Sequence, residues 1–305
     1  MRYTTFMKLY GDYHMHSEFS GDSKNSIDDI VKMAQEKGLS EIAITDHGPR
    51  QYNGIKEKNI PQIRAMIEKA RDEHEFPVLF GMESNLIGTN GKIDITDDIR
   101  RDIDILLCGI HRMIKPANFR SWFTLVLPNM FWGFLRYFPK GRIKKNTEIM
   151  KRVIEQNDID IWVHPNRYYR LDVVEVARVC VERGTLIELN GSRVSFRPID
   201  FERMRAAGAK FIINSDAHEL SQIGRTERVE EFLKNCEWSP EDIVNLHGPF
   251  KRERASLLQK VIEENETEEA EEKKDDKEVK RLEKRQAKLL KKQEKKRAKQ
   301  IKNKL

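Results

Sequence analysis

Cysteine is scarce: the 305-residue chain has three, Cys108, Cys180 and Cys236. Three thiols cannot make a framework of pairs, and each sits in or beside an apolar run, so reduced, buried thiols in a cytosolic protein are expected. The opening MRYTTFMKLY lacks an apolar h-region and a cleavage site, so no secretory leader is expected. A one-signed charge over the body is missing as well. The net +6 arises from residues 251–305, which hold 20 Lys+Arg against 13 Asp+Glu and leave 36 against 37 in 1–250. Any argument from basicity to a polyanionic partner therefore concerns the tail alone.

What the chain does have is alternation. Runs at 8–16, 42–45, 78–81, 105–110, 159–163, 186–189 and 211–214 read as strands, most of them apolar enough to be buried on both faces. Between them, 27–37, 60–73, 147–156, 172–183 and 201–207 show helical periodicity, and Gly38, Gly184 and Gly208 stand where helix C-caps belong. Seven β units with helical crossovers imply a parallel α/β fold, and seven in succession favour a closed barrel over an open sheet. No eighth strand is expected after His218.

Polar, chemically active residues collect where these runs end. His14-Met15-His16 places two imidazoles on one strand face, and Asp22 follows. Thr45-Asp46-His47, Glu83, His111, His164 and Ser215-Asp216-Ala217-His218 sit at or just beyond the ends of later strands. In α/β barrels that rim assembles active sites from residues far apart in sequence. Six of the eight histidines belong to this set, and Asp216-x-His218 repeats the same-face spacing of His14-x-His16. His14, His16, Asp22, His47, Glu83, His111, His164, Asp216 and His218 exceed what one tetrahedral ion uses and suit two to three divalent ions, zinc, manganese or iron. No cysteine is among them: Cys108 points away from the face that His111 shares with Gly109, and belongs under the helices. Glu188 shares parity with Asn190 and is expected to pair with or hold a neighbouring ligand. His74 and His247 are expected to face solvent.

In order and spacing these motifs resemble the PHP superfamily, named for polymerase and histidinol phosphatase, over roughly residues 8–250. The resemblance implies a distorted (β/α)7 TIM-like barrel with a trinuclear metal centre. It implies His14, His16, Glu83 and Asp216 around one ion, Glu83, His111 and His164 around a second, and Asp22, His47 and His218 around the third. Gly48-Pro49 and the run 188–192 look most like the stand-alone phosphoesterase branch. The expected activity is then metal-dependent hydrolysis of a phosphorylated small molecule or nucleotide through a metal-bound hydroxide at a multinuclear site. Asp46 is a candidate for assisting proton transfer to the leaving group. Arg112, Arg167 and Arg193 are candidates for a phosphate clamp, by virtue of their forked donors. An alternative keeps the site but makes nucleic acid the substrate, in an exonuclease-like enzyme anchored by the tail. An amidohydrolase barrel also opens with His-x-His, but the Asp22, Asp46-His47 and Asp216-x-His218 set and the lack of a strand-end lysine argue against it. A non-catalytic interaction protein is disfavoured by the complete ligand set.

Two departures frame the domain reading of a 1–250 barrel with a 113–146 insertion and a 251–305 charged tail. Inside the insertion, 119–138 reads FRSWFTLVLPNMFWGFLRYF, with eight aromatics, and the basic Lys140, Arg142, Lys144 and Lys145 follow. It is too short and too interrupted to span a bilayer. It is expected to be either a hydrophobic lid or an extra helical hairpin packed on the barrel, or an interfacial segment contacting an anionic membrane surface, so the expected location is cytoplasmic with a peripheral membrane option. In the tail, 263–278 holds ten acidic residues against three lysines, and 279–305 holds thirteen basic against two acidic. A solvated helix or disordered segment with a polyanion-binding role is the expectation.

Overall fold

The computed structural model describes residues 7–250, which fall within one compact unit. The readings for 251–305 lie outside the described residues. Seven strands pair in parallel in sequence order: β1 (Gly11–Asp12), β2 (Glu41–Ile44), β3 (Val78–Asn85), β4 (Ile105–Gly109), β5 (Ile161–Trp162), β6 (Leu186–Asn190) and β7 (Phe211–Asn214). The ring nearly closes where the chain just past β1 meets the chain just past β7. His16 N–H donates to Ala217 O at 2.9 Å, and Ala217 N–H donates to His14 O at 3.3 Å. Among the described residues there is no eighth strand.

Helices wrap the outside: α1 (Ile27–Glu36), α2 (Ile60–His74) and α3 (Asp97–Asp102) come first. A short α4 (Phe119–Ser121) then runs through a π turn (Trp122–Val126) into α5 (Leu127–Phe134). The series ends with α6 (Lys140–Gln156), α7 (Val173–Arg183), α8 (Pro198–Ala206) and α9 (Glu227–Leu233). Ser26, Thr96 and Asp172 cap α1, α3 and α7 through side-chain oxygens that accept N–H groups of the first turn. Gly184 ends α7 at φ 63°, a left-handed geometry that costs any other L-residue more. The strands sort their side chains by parity. Tyr13, Ala43, Ile105, Leu107, Ile161, Val163 and Ile212 fill the barrel, while Cys108, Trp162, Ile187 and Ile213 face out under the helices. Cys108 and Cys180 are buried, whereas Cys236 is only half-buried, against expectation. His74 is also not free in solvent: its Nε2 lies 2.6 Å from Asp28 Oδ1, tying α2 to α1.

Candidate metal centre

All nine predicted ligands gather at the C-terminal rim of the barrel, where ligand atoms lie close both within the three sets that the family resemblance implies and across them, as in His16, His47 and His218. In the first, His14 Nε2 lies 3.4 Å from Glu83 Oε1 and 3.6 Å from Asp216 Oδ1, and His16 Nε2 lies 3.7 Å from Glu83 Oε2 and 3.5 Å from Asp216 Oδ1. In the second, Glu83 Oε1 is 3.0 Å from His111 Nε2 and 2.6 Å from His164 Nε2. In the third, Asp22 Oδ2 stands 3.2 Å from His47 Nε2 and 3.3 Å from His218 Nε2. Glu83 is shared, and His47 Nδ1 reaches its other oxygen at 2.6 Å.

The strands deliver these side chains, and the backbone is bent to aim two of them. His164 and Asp216 are non-glycine residues at φ 31° and 54°, as is Asn166 at 64°. Such conformations cost energy and persist where the surroundings enforce them, commonly at functional sites. Gly109 leaves the room: a Cβ there would stand 2.5 Å from His164 Cε1.

Four of the six rings are oriented by their far nitrogen. His14 Nδ1–H donates to Glu188 Oε1 at 2.7 Å, His111 Nδ1–H to Asn85 Oδ1 at 2.7 Å, and His218 Nδ1–H to Asp216 O at 3.0 Å. His16 Nδ1 lies 3.4 Å from Ser20 Oγ, whose own O–H donates to Asp46 at 2.7 Å. In these four histidines the remaining nitrogen, Nε2, turns its lone pair into the cluster. Among the described residues, Nε2 of His14 and His16 are buried with no hydrogen-bond partner, and His47 Nδ1 and Glu83 Oε2 face one another without hydrogen-bond geometry. Buried polar atoms without partners are rare and need an explanation. Bare imidazole nitrogens facing shared carboxylates are the donor set of divalent cations, so the residues fit such ions.

The electrostatics agree. Burial alone would push Glu83 and Asp216 up. Instead Glu83 is held well below the usual carboxylate range by His111, His14 and His47, and Asp216 by His14, His16 and His164. Burial opposes a proton on His14, but Glu188, Glu83 and Asp216 outweigh it and raise its pKa well above the ordinary value. Burial and the neighbouring His47 bring His16 down to about 3. Buried carboxylates at this density demand positive charge from somewhere, and cations meet that demand better than protons shared among imidazoles.

The other predicted residues divide. Asp46 is buried, and its oxygens accept from Ser17 N, Ser17 Oγ and Ser20 Oγ at 2.6–2.7 Å, so it orients His16 through Ser20. Burial, only partly offset by these serines, raises its pKa. Arg167 Nη1 reaches Asp216 Oδ2 at 3.0 Å and packs on the Tyr168 ring, with Arg112 over the same ring at 5.6 Å. Arg193 is exposed on the wall of a cleft of about 1510 Å³ that also holds Arg112, Arg167 and Tyr168. Residues not singled out in the sequence complete the site. Asn85 holds His111, Asn190 donates to Asp216 and Glu188, and Tyr168 stacks 5.7 Å from His111 and 5.8 Å from His164. Asn85 is two residues beyond Glu83 on the same strand face, a signal that parity could have supplied.

A family model described as PHP domain matches residues 12–191. A protein named probable phosphatase from Thermoanaerobacter sp. (strain X514) is 27% identical over 248 residues, covering 78% of this chain and 91% of its own. One of the same name from Proteus mirabilis (strain HI4320) is 28% identical over 246 residues, covering 77% and 89%. A crystal structure of histidinol phosphate phosphatase from Lactococcus lactis subsp. lactis, complexed with zinc, L-histidinol and phosphate, is similar in fold. Its TM-score is 0.52 at 16% identity, covering 76% of this chain and 95% of that one.

Proposed function

The chain belongs to the PHP domain family, and on that premise we propose that its nine-residue cluster hydrolyses a phosphate ester of a small molecule or nucleotide. The enzyme is a metal-dependent phosphoric ester hydrolase, and its relatives carry the name probable phosphatase. The observation that carries the reading is the set of bare, buried imidazole nitrogens converging on Glu83 and Asp216.

His14, His16, Glu83 and Asp216 would hold one ion, Glu83, His111 and His164 a second, and Asp22, His47 and His218 a third. Zinc accompanies the Lactococcus lactis enzyme, and manganese or iron suit the same donors. When bound, divalent ions supply Lewis acidity to the phosphoryl oxygens and acidify water toward neutral pKa. The chain's own groups bind and orient. Arg167 sits within the site and Arg112 lines the small cleft that reaches His111, so a phosphate bound there would meet guanidinium donors, while Arg193 stands on the wall of the larger cleft. Tyr168 covers His111 and His164 and excludes water from that side. Asp46 positions His16, and with its oxygens taken up by serines it is not assigned a proton-donating role.

Three cysteines are too few for a framework of disulfides and suit a reducing compartment, so a cytoplasmic location is proposed. Nucleic acid as substrate is the second reading, resting on the tail's basic excess. An anionic membrane surface is the remaining partner considered, through the insertion.

The test is a screen of phosphomonoesters and diesters with metal-loaded protein, alongside His14→Ala, His164→Ala and Asp216→Ala. Each substitution removes a direct ligand and is expected to abolish turnover. Full activity in all three variants would overturn the assignment. Activity on nucleic acid alone, falling steeply with salt, would select the second reading.

A further inference from the structure

The helical segment from Phe119 to Phe134 is turned inside out. Its barrel side carries Ser121, Leu125, Val126 and Asn129, none more than 5% exposed. Its outer side carries Phe119, Phe123, Leu127, Met130, Phe131 and Phe134, which are 43–86% exposed. These positions recur at intervals of four, four, three, one and three, so they form a single apolar stripe along the helix. Leu135 and Tyr137 extend it. Ordinary amphipathic packing would bury this face.

The rotational setting is pinned by polar groups. Asn129 and Asn146 exchange two amide hydrogen bonds at 3.1 and 2.8 Å. Asn129 also donates to Leu125 O, and Asn146 to Arg170 O. Rolling the helix to hide its phenylalanines would strip buried amides of their partners, a penalty the fold avoids. A contiguous apolar face held outward in this way marks an interaction surface.

Charge selects the occupant. Between Arg112 and Thr147 the chain carries eight Lys and Arg and no Asp or Glu. Two copies meeting face to face would bring like charges together. Nucleic acid would suit the cations but offers nothing to Leu127 and Met130. A bilayer of anionic lipid satisfies both components. Among the described residues no helix is long and apolar enough to cross a membrane, which fits a helix lying in the interface.

We infer that residues 119–137 dock the protein on an anionic lipid bilayer. The aromatic stripe enters the headgroup–acyl boundary, while Arg120, Arg136, Lys140 and Lys144 meet lipid phosphates. Phe134 and Tyr137 belong both to the stripe and to the wall of the arginine-lined cleft, so docking brings that cleft to the membrane surface. The docking needs nothing of the metal cluster, and it stands or falls separately from the hydrolase reading.

The test uses the full-length chain in flotation with vesicles of phosphatidylcholine alone and of phosphatidylcholine with phosphatidylglycerol. The protein is expected to float with the anionic vesicles only, less so at high salt. A Phe119→Gln/Phe123→Gln/Phe131→Gln variant, tail intact, is expected to lose roughly tenfold or more of its partitioning while its melting and hydrolysis stay normal. Should that variant fail to fold, the unaltered protein answers through quenching of Trp122 and Trp132 fluorescence by brominated lipid, expected on anionic vesicles. A folded variant that floats like the parent, or flotation without quenching, would overturn the inference. So would a dimer in lipid-free buffer that the three substitutions dissolve.

Discussion

A histidine can hold a cation only through a ring nitrogen that carries no proton, and what the other nitrogen touches decides which one that is. In this protein the deciding groups come from distant parts of the chain. Glu188 lies 174 residues from His14, and the same carboxylate accepts from His164 N, Asn190 and Asn214. It ties three strand ends into one frame without being placed among the ligands. Glu188→Gln keeps the shape but removes the charge that fixes the His14 ring. Metal affinity is expected to fall about 10- to 100-fold, with activity restored by excess metal. Metal titration of the variant checks this, and an unchanged affinity would show that Glu188 only fills space. The candidate ligand positions themselves were legible from strand ends, same-face spacing and the family resemblance. The partners of Asp46 were not, because Ser17 and Ser20 come from a loop whose path no periodicity reports.

At the scale of elements, the insertion shows how a few local groups set a helix. Pro128 has no N–H to offer Thr124 O, and the carbonyl accepts instead from Arg142 Nη1 at 3.1 Å. One turn back the helix widens, with Leu127 N–H reaching Trp122 O. Asn129 and Asn146 then lock α5 to α6. Asn146→Ala leaves the Asn129 amide buried without that partner and is expected to cost about 1–3 kcal/mol, read from denaturant unfolding. No change in stability would mean water replaces the bond. The eight aromatics of 119–138 announced an unusual segment, but its outward setting depends on that amide pair, which hydropathy does not reveal. α3 escaped notice for the opposite reason, since DDIRRD carries one apolar residue. Lys140–Gln156 begins earlier than its apolar period at 147–156, because the added turns pack the insertion and not the barrel.

For the whole molecule, the barrel follows from seven β units, each side chain sent inward or outward by parity, and from the contact between the chain past β1 and past β7. That closure puts residues from both ends of the 14–218 range within one cluster. A near-neutral body surrounds it, and the basic surplus belongs to residues beyond 250. The central claim is that this cluster holds divalent ions and that hydrolysis depends on them. Elemental analysis of the full-length protein, combined with phosphate release before and after chelation, tests it most directly. Two to three ions per chain are expected, with activity lost on stripping and regained when zinc, manganese or iron is returned. Undiminished hydrolysis by protein shown to be free of metal would contradict the account.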